Sequence, residues 1–133
     1  MVAPITILSL DDHATIADIL EPLNWPFHFA LTLPNVMRVL RSIRMAAVIC
    51  DVPEWRELLA GVAELATPPL VIVASSQADD RLCAEALNLG AYDVLAKPFD
   101  PAEVRRTVSI AVLHWEWNLK PLLPMVRHAK ANV

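Results

Sequence analysis

The chain has 133 residues, enough for one domain with a full core and too few for two. Its net charge of −4 gives no support to a general affinity for nucleic acid, and no apolar run approaches the roughly 18 residues that a membrane span needs. Gly61 and Gly90 are the only glycines, so neither a phosphate-cradling glycine loop nor a dinucleotide fingerprint can be written, and Cys-x-x-Cys, His-Glu-x-x-His and Gly-x-Ser-x-Gly are all missing.

Taken in order, Ile5-Thr6-Ile7-Leu8-Ser9-Leu10 reads as a buried strand that ends in Asp11-Asp12. A helical stripe of Ile16, Ile19, Leu20 and Leu23 follows, closed by Pro22 and Pro26. Phe27 to Leu33 makes a second strand. Pro34-Asn35 opens a helix with Val36, Val39, Leu40 and Ile43 inward and Arg38, Arg41 and Arg44 toward solvent. Ala46-Ala47-Val48-Ile49-Cys50-Asp51 is an unbroken apolar run that stops at a carboxylate, the signature of a strand covered on both faces. The next helix carries Leu58, Val62 and Leu65 and is stopped by Thr67-Pro68-Pro69. Leu70 to Ala74 is a fourth strand ending at Ser75-Ser76. Leu82, Ala86 and Leu89 mark a helix capped by Gly90, and Asp93 to Ala96 is a short fifth strand running into Lys97-Pro98. Asp100 as N-cap, Pro101 at the first position and Glu103 in the first turn start a last helix that reaches at least His114.

Strand and helix alternating five times predict a single α/β domain over 1–119, with a parallel sheet covered on both faces. The segment 120–133, broken by Pro121 and Pro124, has no evident place in that pattern. The last helix carries two apolar stripes, one of Val104, Val108, Ala111 and Trp115 and another of Ile110, Leu113 and Trp117. The region from Trp117 onward is therefore expected to fold back over this helix or to pack on a second chain as a homodimer. Cys50 and Cys83 fall inside elements without metal-like spacing, and Met1 to Pro4 lack a signal peptide's charged start, so the expected setting is cytoplasmic.

In an open α/β sheet, chemistry gathers outside the carboxyl ends of the strands. Those ends deliver Asp11 and Asp12, then Asp51, Ser75 and Lys97. Singly, each aspartate is as well explained as a turn or helix cap; together, three carboxylates demand a compensating cation. Oxygen-only ligands suit Mg²⁺. A carboxylate beside such an ion can attack phosphorus to give an aspartyl phosphate, with Lys97 and the Ser75 hydroxyl on the equatorial oxygens. His13 is read as a helix-start residue, and His28, His114 and His128 have no evident partner set.

These residues resemble the receiver domains of two-component response regulators, over about Ile5 to Leu113. The most specific part is the run Gly90-Ala91-Tyr92-Asp93-Val94-Leu95-Ala96-Lys97-Pro98-Phe99, together with the spacing from Ser75. The resemblance implies a flavodoxin-like (βα)5 three-layer sandwich with strand order 2-1-3-4-5. It implies Asp51 as phospho-acceptor, Asp11, Asp12, Asp51 and the backbone carbonyl of Pro53 as Mg²⁺ ligands, Ser75 as switch hydroxyl and Lys97 on the phosphoryl group. It also implies a Lys97-Pro98 bond in the cis state. A sensor histidine kinase would be the donor and a downstream protein the reader, with no nucleic-acid or membrane partner and no activity beyond self-phosphorylation and autodephosphorylation. Two departures stand out. The loop after Asp51 is shorter than usual, and Val94 occupies the customary aromatic switch position, with Tyr92 two residues away. They leave a second reading open, a phosphorylation-independent receiver acting as a protein-binding scaffold. A small-molecule aspartyl-phosphate hydrolase is disfavoured, because Pro53 occupies the place of the second acid.

Overall fold

The computed structural model describes residues 5–9 and 12–119, with side chains to 117. Among the described residues five strands and five α-helices alternate: β1 (Ile5–Ser9), α1 (His13–Leu20), β2 (Phe27–Ala30), α2 (Leu33–Ser42), β3 (Ala47–Asp51), α3 (Trp55–Val62), β4 (Leu70–Ser75), α4 (Asp80–Asn88), β5 (Asp93–Ala96) and α5 (Pro101–Leu119), with a short 3-10 turn at Glu21–Leu23 after α1. The strands form one parallel sheet in the order β2-β1-β3-β4-β5.

Strand residues alternate between two cores, as the pleat requires. Ile5, Ile7, Ile49, Ile72 and Leu95 pack against α1 and α5, where Ile16, Leu20, Val104, Val108, Ala111 and Trp115 complete one core. Leu8, Val48, Cys50, Val71 and Val73 face the other way, onto Val36, Met37 and Leu40 of α2 and Trp55, Leu58, Leu59 and Val62 of α3. Fully burying side chains of this size contributes roughly 1.5–3 kcal/mol each before conformational entropy is charged against it. The two buried layers cover both faces of the sheet.

Local chemistry sets the element ends. The Asp100 carboxylate accepts the Ala102 N–H at 3.0 Å and starts α5, whose Val104, Val108, Ala111 and Trp115 stripe is buried. Asp79 caps α4 through the Leu82 N–H at 2.9 Å. Gly90, at φ 107°, turns the chain out of α4, and the Ala91 N–H returns to the Ala86 carbonyl. The second strand is shorter than its sequence suggests. Thr32 accepts the Asn35 N–H and caps α2, so the chain leaves the sheet at Ala30 and Leu33 is already helical. Met37, absent from the expected stripe of α2, is buried there, while Ile43 lies past the helix end and is 43% exposed. Ile110, Leu113 and Trp117 of α5 are exposed. The segment 120–133, expected to fold back over this helix or to pack on a second chain, lies outside the described residues.

Candidate functional site

Sheet register carries three strand ends to one edge. Ser9 pairs with Asp51 across β1 and β3, and Ser75 pairs with Ala96 across β4 and β5, so Lys97 leaves the sheet beside the end of β4. The Lys97 N–H donates to the Ser75 carbonyl at 3.0 Å, and the Lys97-Pro98 bond is cis.

The Lys97 ammonium binds the Asp12 carboxylate at 2.6 Å and also contacts Asp51 Oδ1 directly. Residues 85 positions apart in the chain thus share one ion-pair network. Ser9 extends it: its hydroxyl donates to Asp51 Oδ2 at 3.0 Å and accepts the Asp12 N–H at 2.9 Å. This fixes Asp51 from one side and the start of α1 from the other. Ser9 was not among the residues singled out from the sequence. Its signal is positional, since aligning the ends of the first and third strands sets it next to Asp51.

The two carboxyls differ in character. Burial pushes Asp51, whose side chain is only 9% exposed, above the ordinary carboxylate value, against the pull of Lys97 and Ser9. Asp12 is held below its ordinary value, first by hydrogen bonding to Lys97 and then to Asp51. Burial disfavours charge on Lys97, but its two carboxylate partners outweigh this and raise it. One ammonium set against two carboxylates leaves one negative charge uncompensated. Such a hard-oxygen donor set fits a divalent cation of the Mg²⁺ type, with Asp12 and Asp51 as the residues to hold it. Asp11, expected as a further ligand, lies outside the described residues. Among the described residues, no group of three or more His, Cys, Asp or Glu side chains is gathered as for a metal.

Asp51, Pro53, Trp55, Ser75 and Lys97 line one cleft of about 230 Å³. The Ser75 hydroxyl accepts the Gln77 N–H at 2.9 Å. Trp55 is buried, and the Arg56 guanidinium stacks on its ring at 4.2 Å while pairing with Glu85 of α4 at 2.5 and 2.7 Å. Two histidines have partners that the sequence did not reveal. His114 accepts or donates at 2.7 Å to the Tyr92 hydroxyl, and His13, at the start of α1 as expected, meets the Ala30 carbonyl through Nε2.

No protein-family model and no curated protein matches the sequence. Solved structures do match the fold. The signal receiver domain of an HD domain-containing protein from Pseudomonas fluorescens is 24% identical, with a TM-score of 0.80 over 90% of this chain and 93% of that one. A CheY-like response regulator receiver domain protein from Methanospirillum hungatei is 19% identical, with a TM-score of 0.78 over 89% and 99%. The beryllofluoride-activated NtrC4 receiver domain, solved as a dimer, is also 19% identical, with a TM-score of 0.76 over 84% and 98%. Five parallel strands in the order 2-1-3-4-5, with helices on both faces, give this chain the fold of response regulator receiver domains.

Proposed function

We propose that the chain is a signalling receiver domain that accepts a phosphoryl group on Asp51 from a sensor kinase's phosphohistidine. The observation that carries this reading is the meeting of Asp12, Asp51 and Lys97 at the carboxyl edge of the sheet, beside a cleft that Ser75 also lines. Asp51 Oδ attacks phosphorus and the P–N bond to the donor imidazole breaks, so the histidine leaves with its electron pair. Burial makes Asp51 the more basic of the two carboxylates and so the better nucleophile. Ser9 holds Oδ2 and thereby orients the carboxylate. Lys97 follows the charge onto the equatorial phosphoryl oxygens, with Ser75 across the cleft as a second donor once its rotor turns. Bound Mg²⁺, held by Asp12 and Asp51 with Asp11 and the Pro53 carbonyl as further donors, would screen the phosphoryl charge from these carboxylates. The output is a change in a protein-binding surface, read by a downstream partner.

The test is a Phos-tag gel after incubation with acetyl phosphate and Mg²⁺. A shifted band, lost in Asp51→Asn and lost when the metal is chelated, is expected. An unshifted wild-type band would instead favour the phosphorylation-independent scaffold. That alternative draws on a specific feature: the Lys97 ammonium directly bridges both carboxylates.

A further inference from the structure

At the opposite end of the sheet, where the chain enters β3 and β4, the ends of α2 and α3 flank a groove of about 310 Å³. Leu40, Leu65 and Ala66 give it an apolar floor, Ile43 is exposed at its lip, and Arg41 and Arg44 stand on the α2 side. Arg38 lies one turn back from Arg41 on the same exposed face. From Pro22 to Cys50 the sequence contains no aspartate or glutamate, in a chain whose net charge is −4. Among the described residues Arg41 and Arg44 form no ion pair, and Arg38 reaches only the Asn35 amide oxygen. Among the described residues Glu64, on the α3 side, is the single carboxylate lining the groove.

Arg38 and Arg41, one turn apart on α2, repel one another at a cost of a few tenths of a kcal/mol, and Arg44 adds a third positive charge just past the helix end. Only Arg41, in the last turn of α2, is offset by the helix dipole. We infer that this groove docks an acidic segment of a partner protein, an apolar side chain seated on Leu40 and Leu65 and its carboxylates on Arg41, Arg44 and Arg38. The charge decides the class of occupant. The apolar floor of Leu40 and Leu65 offers nothing to a small free anion and calls for an occupant with an apolar side chain beside its carboxylates. Three guanidiniums fall well short of the roughly 6–10 phosphate contacts of a strong duplex binder. An arginine rim around an apolar floor is the composition of protein interfaces. The surface is independent of Asp51 and lies at the other end of the strands.

The experiment uses the full chain and a short fluorescein-labelled peptide of alternating glutamate and leucine, with fluorescence anisotropy and ¹⁵N-resolved NMR. Binding is expected to shift the amides of Leu40, Ile43, Leu65 and Ala66. It should weaken about tenfold in Arg41→Glu/Arg44→Glu and weaken again as salt rises through the range that screens exposed charges. Asp51→Asn should leave it unchanged, which separates this surface from phosphoryl acceptance. The exposed arginines can be replaced without touching the core, and circular dichroism checks that both variants are folded. Three results would each overturn the inference: no binding, equal binding by wild type and the double variant, or tighter binding of a DNA duplex or phosphatidylserine vesicles to the same residues.

Discussion

Two ion-pair networks tie distant parts of this chain together, and they differ chiefly in burial. Arg56 and Glu85 meet on the surface as a two-pronged pair, with side chains 49% and 41% exposed. Lys97 meets Asp12 and Asp51 where the latter is nearly out of water. Water screens the first pair and already satisfies its partners when they separate, so it adds little to stability. In the second, the nearly buried Asp51 and the partly exposed Asp12 share one ammonium, and removing it leaves the Asp51 charge poorly reached by water. Burial therefore decides which of the two networks weighs on stability.

Breaking the buried network should produce the largest effect. Lys97→Met is expected to cost about 2 kcal/mol in urea unfolding at pH 7, below the roughly 3–5 kcal/mol of a fully buried pair because Lys97 and Asp12 stay about a quarter exposed. The deficit should shrink as the pH falls, since protonating either carboxyl relieves their repulsion.

Asp51→Asn should act in the opposite direction, raising stability by about 1 kcal/mol at pH 7. The Asp51 carboxyl is held above its ordinary value, mainly by burial. Such a group favours the folded state while protonated, and that contribution is lost as the pH rises through its folded value. The advantage of the Asp51→Asn variant over wild type should accordingly vanish in acid, measured as a converging pair of urea midpoints.

A core position sharpens the contrast between charge and mere polarity. The Thr6 hydroxyl is fully buried and has no hydrogen-bond partner among the described residues. Thr6→Val keeps the shape and removes the orphan donor, so a gain of about 1 kcal/mol is expected. Arg56→Ala and Glu85→Ala should move the urea midpoint least, singly or together, and a large coupling in the double-mutant cycle would contradict the comparison.

Thiol chemistry gives a check on the burial of the sheet itself. Burial pushes the Cys50 thiol up to about 12, whereas Cys83 sits half-buried on α4. At pH 8 a disulfide reagent should titrate Cys83 alone, and Cys50 only in denaturant.

The sheet and its helices were legible because uninterrupted apolar runs and helical stripes carry their own period, as in Val48 to Cys50 or Val104 to Trp115. Burial on both faces then left little choice of architecture. The acidic strand ends were equally visible as types, and the register brought Asp12, Asp51 and Lys97 together. Less legible was everything set by how ends align in space. Ser9 looked like one more strand residue until β1 and β3 were paired, and the Tyr92–His114 contact joins elements that no local pattern links. Met37 displaced Ile43 from the core because α2 stops a residue too early for the expected stripe.

The most direct measurement is a ¹⁵N-resolved NMR titration with beryllofluoride, with and without Mg²⁺. Phosphoryl acceptance at Asp51 predicts saturable shifts at Asp12, Asp51, Ser75 and Lys97 that need the metal and disappear in Asp51→Asn. Spectra unchanged at millimolar Mg²⁺, or shifts that survive in Asp51→Asn, would contradict it.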